Sequence, residues 1–145
     1  MVSKKVLITG AAGFIGYHLA NMLRDKGVTV IGVDNFDKPC GADVKCINMD
    51  VRDPALKEII KDVDEIYHLA AQIHVDRSYE DPELTYDVNV GGTKNVLDAC
   101  KEYGKTMLLA SSVEVYGTAK TPTISEDHPL HPQSPYAESK KQAEI

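Results

Sequence analysis

The residues with the clearest chemical purpose sit near the start of the chain. Gly10, Gly13 and Gly16 recur at every third position in TGAAGFIG, where an apolar run, Val6 to Ile8, gives way to a helical pattern. A strand that turns directly into a helix presents unpaired N–H groups and a partial positive charge, which attract phosphate. Glycines at this spacing tighten the turn, let a pyrophosphate approach the backbone and let the helix pack closely on the strand. Asp34 ends the next β-branched run, 18 residues beyond Gly16. A carboxylate there accepts hydrogen bonds from both hydroxyls of an adenosine ribose and repels a 2′-phosphate, which favours NAD over NADP. Asp50 ends a third run, within reach of an adenine amino group, with turn chemistry as the competing reading.

A second group lies towards the other end. Tyr136 and Lys140 in YAESK stand at i and i+4, on one face of a helix. Alone that spacing is common on solvated helices. It gains meaning beside the glycine turn and beside Ser111 and Ser112, which end a further apolar run. Ser111 is expected to satisfy strand-end backbone groups, and Tyr116 to be a packed aromatic.

The elements that must position these residues alternate. Strands are expected at Val6–Ile8, Val28–Asp34, Val44–Asp50, Asp64–Ala71 and Thr106–Ser112. Between them fall a helix from Phe14 with Ile15, Leu19, Met22 and Leu23 on one face, a short helix opened by Pro54, and a long helix from about Pro82 to Tyr103. Gly91 and Gly92 within it allow close packing near the cofactor loop. A loop with Pro122, Pro129, Pro132 and Pro135 leads into a final helix. Alternation of this kind implies βαβ units, right-handed crossovers and a doubly wound parallel sheet, here in the order 3-2-1-4-5.

The 145 residues suit one domain, 1–145, ending within the Tyr-x-x-x-Lys helix, and can bury a sizeable core. A net charge of -6 argues against nucleic acid or an anionic membrane surface as partner. Three cysteines, Cys40, Cys46 and Cys100, show no metal-binding spacing, and the odd number fits a reducing compartment better than a disulfide framework. The histidines are scattered, so no metal is expected. No signal peptide or membrane-length apolar run stands out, which reads as cytoplasmic.

Taken together, TGAAGFIG, HLAA (68–71), DVNVGGT (87–93), SSVEVYG (111–117) and YAESK resemble the extended short-chain dehydrogenase/reductase family. The likeness is to its NAD-dependent nucleotide-sugar epimerases and dehydratases, the UDP-glucose 4-epimerase type in particular. The resemblance implies an NAD-binding Rossmann domain. At the turn it implies cofactor contacts from Gly10, Gly13, Phe14, Ile15 and Gly16. Beyond the turn it implies contacts from Asp34 and Asn35, then Asp50 and Val51, then Leu69, Ala70 and Ala71. Asn89 would support the cofactor-side loops. Tyr136 would be the catalytic base at the sugar 4-hydroxyl, and Lys140 would hold the nicotinamide ribose. A phenol in water loses its proton only near pH 10, so such a base needs positive charge beside it; Lys140 and the nicotinamide ring would supply it. Ser112 would hydrogen-bond the reacting hydroxyl, with Val113 and Glu114 next to the substrate.

Two features bear on the reaction. HVDRS (74–78) resembles a stretch of sugar-nucleotide 4,6-dehydratases. Those enzymes also carry an Asp-Glu pair where this chain has Val113 and Glu114, and valine donates no proton. The resemblance therefore favours a 4-epimerase, with a dehydratase or a Glu114-assisted decarboxylase as alternatives. Family members run to roughly twice this length, so the C-terminal substrate domain is expected to be absent. The site for a nucleotide sugar, most simply a UDP-sugar, is then expected to be absent or completed by a second chain, and a homodimer is the other assembly the resemblance implies. A non-catalytic NAD-binding module is the reading from a different class, and a scaffold with an empty pocket a third.

Overall fold

In the computed structural model, which describes residues 3–36 and 38–145, five parallel strands form one sheet in the order β3-β2-β1-β4-β5. They are β1 (Lys5–Thr9), β2 (Thr29–Asp34), β3 (Lys45–Asn48), β4 (Glu65–His68) and β5 (Thr106–Leu109). The crossovers carry α1 (Phe14–Asp25), α2 (Leu56–Lys61), α3 (Val75–Glu80), α4 (Pro82–Tyr86) and α5 (Gly92–Tyr103), and α6 (Pro135–Ala143) follows.

Successive residues of a strand face opposite sides, so β1 feeds two cores. Leu7 and Val33 point to the side covered by α2 and α5, with Leu56, Ile60, Ile66 and Val96. Val6, Ile8 and Val30 point to the side covered by α1, with Ala20 and Cys40. This double burial is why β1 and β2 read as continuous apolar runs.

Several elements differ from the periodicity. On α1 the face against the sheet is Gly16, Leu19, Ala20 and Leu23; Ile15 and Met22 are exposed, at 65% and 49%. The helix lies so close to the glycine turn that small residues, not large ones, occupy its nearest positions. β4 and β5 stop at His68 and Leu109, and the residues after them leave the sheet for the loops at its C-terminal edge. The long helix expected from Pro82 to Tyr103 is continuous but contains a π-helical segment, Asp87–Gly91, between α4 and α5. HVDRS gives α3, and Val113–Tyr116 forms a 3₁₀ turn.

The cysteines also depart from expectation. Cys40 and Cys46 form a disulfide, with Cα atoms 5.5 Å apart, within the range a disulfide spans. Both converge on Gly32. Cys46 is its register partner on β3, and a Cβ on Gly32 would stand 2.6 Å from that of Cys40. Cys100 is a free, buried thiol whose pKa burial raises. Among the described residues no helix is long and apolar enough to cross a membrane.

Candidate functional site

The sheet's C-terminal edge opens into a cleft of about 410 Å³. It runs from the glycine turn and the end of β2, past the end of β3, to the segment after β4. The turn is shaped by backbone. Gly10 has φ +70, and a Cβ there would lie 2.8 Å from the Ala70 nitrogen; one on Gly16 would lie 2.2 Å from the Gly10 oxygen. At Gly13 the nearest atom to an added Cβ is the Gly10 oxygen, at 3.2 Å, so the space above it opens to the cleft. Any side chain at Gly13 would fill the floor of an anion cradle.

Asp34 is 6% exposed and lines the cleft. Its Oδ2 accepts the Ala12 N–H at 3.0 Å and its Oδ1 the Phe36 N–H at 3.1 Å. Each oxygen keeps a lone pair for a ligand hydroxyl. Asp50 is more heavily engaged. Arg52 donates to it from Nε at 2.9 Å, from Nη2 at 2.7 Å and from its backbone N–H at 2.8 Å, and reaches Asp87 at 2.6 Å. The guanidinium holds the Asp50 carboxyl below its usual range.

Of the residues expected at a cofactor, the cleft gathers Gly10, Gly13, Asp34, Asn35, Asp50, Val51, Leu69, Ala70 and Ala71. Gly16 is buried beneath the turn, and Phe14 and Ile15 stand exposed at the start of α1, outside the cleft walls. Asn89 lies behind the wall, 1% exposed. Its Oδ1 accepts the Gln72 N–H at 2.7 Å, and its Nδ2 donates to the Gln72 carbonyl at 3.1 Å and to Ser139 Oγ at 2.9 Å. Gly92 packs against Val51, where a Cβ would meet a methyl at 2.6 Å.

Ser112, Val113, Glu114, Tyr136 and Lys140 form a separate group, where α6 packs on the 3₁₀ turn. Ser134 caps α6, its Oγ accepting the Ala137 N–H at 3.0 Å, and Pro135 opens the helix. Tyr136 is half-buried on its first turn. Lys140 is 4% exposed, and among the described residues its ammonium has no ion pair or hydrogen bond. Burial lowers its pKa, opposed by the charge of Glu144. Ser112 Oγ accepts the Glu114 N–H at 3.3 Å; Val113 is 63% exposed. The backbone-satisfying role expected of Ser111 falls to Ser112, because the Ser111 hydroxyl pairs with Glu144 instead. Tyr116 packs edge-on to His128 at 5.7 Å.

The cleft also takes residues that motif reading passes over: Phe36, Arg52, Gln72, His74 and Arg77. Arg52 had a signal in its two-residue spacing from Asp50. Arg77 had one in HVDRS, which follows HLAA closely enough to line the same edge.

Comparison with known proteins identifies the family. Residues 7–145 match the family described as GDP-mannose 4,6 dehydratase. UDP-glucuronic acid decarboxylase 1 of Danio rerio is 37% identical across 97% of this chain and 36% of its own length. UDP-glucose 4-epimerase of Mycolicibacterium smegmatis is 35% identical across 97% and 49%. Among solved structures, TunA, described as an NAD-dependent NDP-hexosamine 5,6-dehydratase of tunicamycin biosynthesis, superposes with a TM-score of 0.90. It is 37% identical across 98% of this chain and 48% of its own. The chain spans about half or less of the length of these relatives.

Proposed function

The chain belongs to the GDP-mannose 4,6 dehydratase family, and on that premise we propose that it binds NAD and carries the acid–base residues of a nucleotide-sugar 4-epimerase. The observation that carries the reading is the pairing of an open glycine cradle beside Asp34 with a buried lysine that, among the described residues, makes no ion pair or hydrogen bond. A cationic side chain is held out of water only where something offsets the cost, and a bound ribose and phenolate would do so.

The fit is chemical as well as spatial. The N–H groups of Phe14 and Ile15 at the start of α1 would face the pyrophosphate, those of Gly10 to Gly13 being held within the turn by Val33, Asp34 and Gly10. Asp34 and Asn35 receive the adenosine ribose, and Asp50 and Val51 border the adenine. Leu69, Ala70 and Ala71 wall the opposite side, and Asn89 fixes that wall from behind. When bound, NAD supplies the hydride acceptor and donor for the sugar carbon. Tyr136 takes the proton of the sugar 4-hydroxyl and later returns it. Lys140, one turn along the same helix face, holds the nicotinamide ribose and brings positive charge to the phenol. Ser112 orients the hydroxyl. Val113 stands where a proton-donating side chain would be needed for loss of water, which favours epimerisation. The substrate is a UDP-sugar.

Calorimetric titration tests the cofactor first. NAD should bind, and Asp34→Ala should weaken it about tenfold and remove the preference over NADP, as expected for a lost charge-assisted hydrogen bond. A panel of UDP-sugars should then raise the absorbance of reduced nicotinamide, and Tyr136→Phe should abolish the rise. Failure to bind NAD sinks the reading. Release of carbon dioxide from UDP-glucuronate would replace the epimerase with the decarboxylase alternative. NAD binding with no sugar response would leave a binding module.

A further inference from the structure

Behind the cleft a buried polar chain crosses the molecule. Ala70 N–H lies 3.3 Å from Thr9 Oγ1, which lies 2.6 Å from His68 Nδ1; His68 Nε2 lies 3.0 Å from Thr93 Oγ1. Thr93 Oγ1 donates to the Asn89 carbonyl at 2.6 Å. Asn89 then clasps both backbone groups of Gln72 and donates to Ser139 Oγ, which donates to the Tyr136 carbonyl at 2.7 Å. His68 is 1% exposed, Thr9 and Ser139 0%, Thr93 3%.

Counting protons fixes the direction of every link. A hydroxyl has one hydrogen. That of Thr93 goes to the Asn89 carbonyl, so towards His68 it accepts, and Nε2 must carry the imidazole proton. Nδ1 is then a lone pair and takes the hydrogen of Thr9, whose oxygen accepts the Ala70 N–H. With the proton on Nδ1 instead, Nε2 and the Asn89 carbonyl would both need the single Thr93 hydrogen. Burial pushes the His68 pKa down to about 4, with the charge of Lys140 on α6 adding to it.

We propose that His68, with its proton on Nε2, is a positioning residue that locks the cleft wall Leu69–Gln72 to the helix bearing Tyr136 and Lys140. It touches neither ligand nor reacting atom. It sets the Thr93 hydroxyl that orders Asn89, and Asn89 holds the wall on one side and Ser139 of α6 on the other. The tautomer stands on hydrogen bonds alone; the functional weight rests on the cofactor reading above.

Long-range proton–nitrogen correlation spectra of the ¹⁵N-labelled chain test the tautomer. His68 should show the Nε2–H pattern with no titration between about pH 5 and 8, below the range where an ordinary histidine turns over. An Nδ1–H pattern, or a titration in that range, overturns the proposal. Hydrogen exchange at the Ala70 and Gln72 amides tests positioning. His68→Leu should speed both about tenfold or more, and His68→Gln, whose amide keeps a donor towards Thr93, should restore most of the protection. Equal protection in all three proteins overturns the proposal. Should His68→Leu not fold, Thr93→Val reads the same link and should speed Gln72 exchange; unchanged exchange counts against it. Titration with NAD completes the test, with affinity about tenfold lower in His68→Leu and nearly recovered in His68→Gln; equal affinities overturn the role. A wild-type chain that binds no NAD overturns that role and the cofactor reading together, even where tautomer and exchange hold.

Discussion

The glycine turn and the Asn89 junction both fix backbone along the same cleft, and they do it by opposite means. Between β1 and α1 the wall is set by what is missing. Backbone presses on backbone, and a Cβ at Gly10 or Gly16 would strike main-chain atoms at 2.8 and 2.2 Å. Between β4 and α6 the wall is set by side chains, a buried relay through Thr9, His68, Thr93, Asn89 and Ser139. The first arrangement tolerates no added atom. The second tolerates no lost donor, since a buried polar group left without its partner costs about 1–3 kcal/mol. One site thus uses exclusion where an anion must approach and connection where two elements must keep their register.

Four substitutions or conditions test the contrast. Gly16→Ala should cost most, about 3 kcal/mol, because its Cβ meets rigid backbone and not a side chain that can turn away; an unchanged urea midpoint would show that the turn yields.

Acid comes next. The folded pKa of His68, about 4, lies below the ordinary 6.5, so between those values the unfolded chain takes a proton the folded chain refuses. Stability therefore falls as pH drops from about 6.5 to 4, by about 3 kcal/mol from this group. Urea unfolding across that range should slope more steeply in the wild type than in His68→Leu, and parallel slopes would refute the buried, uncharged imidazole.

Asn89→Leu should cost about 2 kcal/mol by stranding the Gln72 backbone. The loss should appear in the exchange of the Gln72 amide and spare that of Gly10, whose N–H bonds the Val33 carbonyl; equal loss at both would mean the two walls are one cooperative unit.

Smallest is Ser134→Ala, about 1 kcal/mol for a lost helix cap. It should loosen the first turn of α6, read as faster exchange at Ala137, without moving Asn89. No change at Ala137 would mean the relay alone anchors that helix.

The same contrast governs what the sequence made legible. The glycine turn depends on properties each residue carries alone, so TGAAGFIG between an apolar run and a helical one announces it. The strand order follows from the alternation in the same local way. The relay depends on residues far apart in the chain: Thr9 and His68 are separated by 59 positions, Asn89 and Ser139 by 50. Nothing in the local pattern around Thr93 says that its hydroxyl meets an imidazole. Ile15 and Met22 were misplaced because periodicity counts apolar residues and α1 buries small ones. The disulfide was hidden for a similar reason: it forms across Gly32, a residue whose importance lies in the sheet and not in the spacing of the cysteines.

The π segment at Asp87–Gly91 is a correction of phase. Each residue of a helix advances its direction by about 100°, and a π turn holds one residue more than an α turn. Upstream, α4 faces α6; downstream, α5 faces α2. The additional residue lets one uninterrupted helix serve two partners that lie in different directions. Deleting one residue of the segment would return the wide turn to an α turn and leave α5 in phase, with Thr93 still at His68 and Val96 still in the core. The same deletion within the α-helical turns of α5 has no wide turn to absorb it and would rotate everything beyond it by about 100°.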